Sequence, residues 1–126
     1  TAIAEVSHHR AVFLARTLEP AIDVDMRVVL AHLDAPLHDL RALGKRGAAL
    51  FDPDYYAAPQ ALGRELRAAG SWGVQFPSVR HVGGLCVGVF RPKALRNARS
   101  GAHIALHWDG QRITQWFEKR GLRALR

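Results

Sequence analysis

The chain has 126 residues, the length of one domain, with 48 % hydrophobic and 23 % charged residues; that balance excludes an intrinsically disordered chain. No apolar run reaches the ~18–20 residues of a membrane span, and no charged start followed by an apolar stretch marks a secretory signal. The single cysteine, Cys86, excludes an internal disulfide framework and a cysteine-rich zinc site, and a reducing cytoplasm is the expected compartment.

The predicted elements run as follows. Residues 2–18 read as a helix with Ile3, Val6, Phe13 and Leu14 near one face, ended by Glu19-Pro20. Residues 26–33 (MRVVLAHL) read as a buried strand, and Asp34 to Gly47 as mostly loop. Phe51-Asp52-Pro53-Asp54 reads as a turn able to cap a helix over 59–69, with Pro59 in its first turn and Gly70 at its C-terminal end. Residues 72–76 and 85–90 read as strands, the second buried, separated by a Ser78–His81 loop and a Gly83-Gly84 turn. Residues 103–108 and 111–117 around Asp109-Gly110 read as a hairpin, since Asp-Gly suits the φ > 0 positions of a tight turn. The expected fold class is α+β, a mixed α/β domain with about five strands and two helices.

The net charge of +7 lies wholly in residues 91–126. That segment holds nine basic residues (Arg91, Lys93, Arg96, Arg99, Arg112, Lys119, Arg120, Arg123 and Arg126) against Asp109 and Glu118. It reads either as a surface for nucleic acid or an acidic protein, or as a solvated tail. Seven histidines raise a metal site. Glu5, His8 and His9 share one side of the first helix, but neither zincin order is present. A site would need a further ligand that nothing in the pattern demands, so no metal is expected. Ser78 and His81 suggest a serine hydrolase, yet the context Phe76-Pro77-Ser78-Val79-Arg80 lacks the nucleophile elbow. Cys86, between Leu85 and Val87, reads as an unreactive core thiol. Glu5 taken alone reads as an acid favoured by the dipole of the first helical turn.

The run from Tyr55-Tyr56 to Phe90 carries a helix, then A-x-G-x-x-G-[IV]-x-[FY]-P-S-x-R, then Gly-Gly and a strand ending V-F-x-P. This pattern resembles the RES domain, a family named for an Arg, a Glu and a Ser. Ala2-Ile3-Ala4-Glu5-Val6 resembles the helix carrying the family's glutamate. Arg27-Val28-Val29, Leu37-His38-Asp39-Leu40 and His107-Trp108-Asp109-Gly110 extend the likeness over nearly the whole chain.

The resemblance implies a small mixed sheet flanked by helices, similar to ADP-ribosyltransferase toxins. It implies a single RES-type domain over 1–126 acting as the toxin of a bacterial toxin–antitoxin system. The implied activity is NAD⁺ cleavage at the nicotinamide–ribose bond, by hydrolysis or phosphorolysis, with mono-ADP-ribosylation of a protein as the alternative. A non-catalytic basic module binding protein or nucleic acid is the rival from another class. Glu5 and Ser78 are implied as catalytic residues. Ser78 is also placed to hold a phosphate or ribose hydroxyl; Arg80 reads either as a phosphate partner or as a structural salt bridge. NAD⁺ is expected as substrate and a cognate antitoxin as partner in a hetero-oligomer, with no membrane association and with direct nucleic-acid binding disfavoured. The family's Arg and a neighbouring Tyr lie upstream of the glutamate, before Thr1, so the domain is expected to be N-terminally incomplete as written.

Overall fold

The computed structural model describes residues 1–121 and 123–125. Arg126, the last of the basic residues named above, lies outside the described residues. The elements are helix α1 (Ala2–Leu14), strand β1 (Ile22–Leu33), strand β2 (His38–Asp39), a 3₁₀ segment (Leu40–Phe51) and helix α2 (Ala57–Ala68). Strands β3 (Gly73–Pro77), β4 (Leu85–Val89), β5 (Leu95–Trp108) and β6 (Ile113–Lys119) follow, with a short 3₁₀ turn at Pro92–Ala94. The mixed α+β class is as expected. The strands divide between two three-stranded sheets, ordered β2-β3-β4 and β1-β5-β6. The chain falls into two compact units: residues 1–5 with 33–96, and residues 6–32 with the chain from Asn97 onward.

In the first unit β3 is the central strand. It runs parallel to β2, with His38 opposite Val74, and antiparallel to β4, with Phe76 opposite Cys86. Its start is tied down by Ser71, a buried serine whose hydroxyl lies 2.9 Å from His38 Nδ1 and accepts from the Gly73 N–H at 3.2 Å. Gly73 must lack a side chain, because a Cβ there would lie 2.3 Å from the Gly88 carbonyl. Helix α2 ends as its sequence directs: Gly70 turns left-handed (φ +85°), and the Ser71 N–H closes onto the Leu66 carbonyl. Residues 40–51 are not loop. They wind into 3₁₀ turns kinked at Gly44, and Asp39 caps their start by accepting from the Arg41 N–H at 3.0 Å. The 51–54 turn forms as Asp52 accepts from the N–H groups of Asp54 and Tyr55, but this carboxylate does not cap α2, whose N-cap is Tyr56.

In the second unit β5 lies between β1 and β6. The buried residues are Leu14, Ile104, Ala105, Leu106 and Trp108, and the Trp108 indole N–H donates to the Glu19 carbonyl at 3.1 Å. Three sequence expectations change here. Helix α1 stops at Leu14 rather than 18, because the Thr17 hydroxyl takes the Leu14 carbonyl at 2.7 Å; Phe13 is exposed, not on a buried face. Strand β1 starts four residues early and is not buried: Asp23 points out to a hydrogen bond with the His107 ring and Asp25 to an ion pair with Lys119, and Val29 is exposed. The hairpin is longer than expected and turns through four residues. The Asp109 carboxylate accepts from the N–H groups of Gln111 and Arg112, leaving Gly110 as the left-handed residue.

The basic segment is therefore not a tail. Arg91, Lys93 and Arg96 belong to the first unit, and Arg99, Arg112, Lys119, Arg120 and Arg123 lie on β5, β6 and their flanks. Arg96, Arg112, Lys119 and Arg120 are paired with Asp34, Asp109, Asp25 and Glu118, and Arg91 sits over the Trp72 ring at 5.0 Å. Among the described residues no helix is long and apolar enough to cross a membrane.

Candidate active site

Glu5 meets Ser78 and Arg80, 73 and 75 positions away in sequence, in the first unit. Glu5 sits in the opening turn of α1, its N–H bonded to the Thr1 carbonyl. Ser78 and Arg80 follow the end of β3 at Pro77, where proline stops the ladder and the chain enters a tight loop. That loop is closed by the Ser78 N–H on the Gly84 carbonyl (2.9 Å) and the Gly84 N–H on the His81 carbonyl (2.8 Å).

The Ser78 hydroxyl is the hub. It accepts from the backbone N–H groups of Arg80 (3.2 Å) and His81 (3.1 Å) and donates to Glu5 Oε1 at 2.6 Å. The second carboxylate oxygen, Oε2, receives Arg80 Nη1 at 3.0 Å. Arg80 Nη2 donates to the Pro53 carbonyl (3.2 Å) and to the Tyr56 hydroxyl (3.0 Å), so the guanidinium ties the carboxylate to the turn that precedes α2. On the other side Cys86 approaches Glu5 Oε1 with its sulfur at 3.8 Å.

These contacts decide the ionisation of the site. Burial pushes the Glu5 carboxyl up, but the Ser78 hydrogen bond and the Arg80 charge outweigh it and hold the group below the usual carboxylate value. Glu5 is an anion across the physiological range. Burial and the Glu5 charge push the Cys86 thiol up. Both effects disfavour the thiolate, and Cys86, only partly buried, borders the carboxylate instead of filling a sealed core.

Glu5, Ser78 and Arg80, each singled out from the sequence, are brought together. Arg80 makes the salt bridge that was one of its two readings. His81 does not serve Ser78 as a base: its Nδ1 lies 2.8 Å from the Thr1 hydroxyl, and the Ser78 proton points to Glu5. Gly84 permits this closure, since a Cβ there would lie 2.5 Å from the Thr1 hydroxyl oxygen. Among the described residues no group of three or more His, Cys, Asp or Glu side chains is arranged to hold a metal ion. Sequence reasoning missed Tyr56 and Cys86. The signal for Cys86 was available in the period-two alternation of β4, which puts it on the face opposite Leu85 and Val87, both exposed.

The family model for the RES domain matches residues 1–109. The chain belongs to the RES domain family. No curated protein and no solved structure matches it. The matched span contains Glu5, Ser78, Arg80 and the whole network around them.

Proposed function

We propose that this RES domain cleaves NAD⁺ at the nicotinamide–ribose bond. The observation that carries the reading is the anionic Glu5 carboxylate, held by Ser78 and Arg80 and partly shielded from solvent, with side-chain exposures of 22 % for Glu5 and 13 % for Arg80. Such a carboxylate suits a reaction that builds positive charge on a sugar. When the C–N bond breaks, its electron pair passes to the nicotinamide nitrogen, which becomes neutral, and the ribose carbon is left cationic. The acceptor, water or phosphate, then supplies an electron pair to that carbon and releases any proton to solvent. Nicotinamide needs no protonation to leave, so no general acid is required.

Glu5 fits the electrostatic role better than a proton-transfer role. A carboxyl held below its usual value is a poor general acid and a weak base near neutral pH. At about 4 Å and an effective dielectric of about 20, a carboxylate stabilises a unit positive charge by about 4 kcal/mol, roughly a thousandfold in rate. The Arg80 charge offsets part of this. Ser78, whose hydroxyl donates and accepts at once, is the group placed to exchange its Glu5 contact for a ribose hydroxyl or phosphate oxygen. Arg80 positions the carboxylate.

The test is release of free nicotinamide from NAD⁺ by the full chain, with Glu5→Gln as comparison. Release that falls by about 10²–10³-fold in the variant is expected. A full-length protein that leaves NAD⁺ intact, or a variant as active as the parent, overturns the reading.

A further inference from the structure

Beneath α2 the first unit holds an apolar cavity of about 250 Å³. Four aromatic side chains contribute to its walls: Phe51 from the 3₁₀ segment, Tyr56 before α2, Phe76 from β3, and Phe90 after β4. Leu66 and Gly63 of α2 line it as well. Although α2 presents its apolar residues there, none of its 12 residues is buried. The pocket is open on one side, and its apolar walls offer water few polar partners. Gly63 adds to the space. A Cβ built at this helical position meets nothing within 4 Å, and glycine is disfavoured in a helix interior.

We propose that this cavity is a binding site for a small uncharged aromatic ring. Its size limits the occupant. An engineered apolar cavity of roughly 150 Å³ holds benzene, whereas pockets for drug-sized ligands begin near about 300 Å³. One ring or a fused pair fits; an entire dinucleotide does not. Its chemistry limits the occupant too, because aromatic walls favour edge-to-face and offset contacts with another ring. Gln60, also on the wall, offers an amide. The site is coupled to the carboxylate. Tyr56 lines the cavity and accepts from Arg80, which in turn holds Glu5, so an occupant that moves the Tyr56 ring acts on the carboxylate through one guanidinium. The ring has two sources of the same chemistry: an unrelated free aromatic molecule, or the neutral nicotinamide that cleavage of NAD⁺ releases. Binding does not depend on the NAD⁺ reading and is measured without turnover.

The experiment titrates the full chain with nicotinamide, indole and toluene, using ligand-observed NMR. It compares the parent with Gly63→Leu, whose side chain fills the open space. We expect binding by the parent, contacts from the bound ring to the Leu66 methyls, and at least tenfold weaker binding by Gly63→Leu, with a Tm no lower than the parent's. If Gly63→Leu also weakens the inhibition of NAD⁺ cleavage by added nicotinamide, the ring is the reaction's own product; if that inhibition is unchanged, it is a separate aromatic molecule. Absence of binding to the parent overturns the proposal, as does a bound ring without contacts to Leu66. The Leu66 contacts are read on the parent, so this second criterion holds even where the variant folds poorly.

Discussion

Replacing Arg80 with methionine keeps much of the stem and removes the guanidinium that joins Glu5 to Pro53 and Tyr56. The cost follows from burial. An exposed ion pair is worth about 0–1 kcal/mol, and breaking a buried one costs about 3–5 kcal/mol. Here the side chains are 13 % and 22 % exposed, nearer the buried limit, and the Pro53 carbonyl and Tyr56 hydroxyl regain water. We expect Arg80→Met to cost about 2–3 kcal/mol, and Glu5→Gln about 1–2 kcal/mol because the amide oxygen still accepts from Ser78. The double variant should lose about 1–2 kcal/mol less than the sum, the coupling of two groups in direct contact. Urea denaturation of the four proteins, with unchanged slopes, measures it. The pH dependence has a definite sign. The Glu5 carboxyl is lower in the folded than in the unfolded chain, so the unfolded state binds more protons through this range. Its contribution is present above the unfolded value of about 4.3 and is lost as pH falls through the folded one. The coupling should therefore shrink below about pH 4. Coupling within about 0.5 kcal/mol of zero at pH 7, or equal at both ends of the range, refutes the reasoning.

Ser78→Ala strips the acceptor from two backbone N–H groups and the donor from Glu5. A loss of about 1–3 kcal/mol in thermal denaturation is expected, with the Glu5 carboxyl rising in an NMR titration; an unmoved carboxyl would show that Ser78 does not set its ionisation. Alkylation of Cys86 by iodoacetamide at pH 7 should be slower than that of a free thiol, because burial and Glu5 both disfavour the thiolate, and Glu5→Gln should accelerate it. A Cys86 that reacts as fast as free cysteine would mean that neither effect operates.

Residue types and spacings by themselves determined a good deal. Pro77 had to end β3, Gly70 had to end α2, and Asp109-Gly110 had to turn the chain, because these are backbone constraints acting within a few residues. The Pro77-Ser78-Val79-Arg80 motif and the Gly83-Gly84 pair marked the loop that carries two of the three site residues, and the opening helix marked the third. Longer-range facts were not legible. β1 runs through Asp23 and Asp25, poor strand residues, because partners 84 and 94 positions away pair with them. The 40–51 segment winds up although its glycines read as loop, since a cap at Asp39 and packing on the unit's core outweigh local preference. Above all, only the tertiary structure joined Glu5 to Ser78 and Arg80 across more than 70 residues, and made Arg80 the clamp of Glu5 through Tyr56. A carboxylate's charge state depends on what surrounds it in space, and sequence neighbours of Glu5 such as Ala4 and Val6 carry no trace of the hydroxyl and guanidinium that hold it ionised.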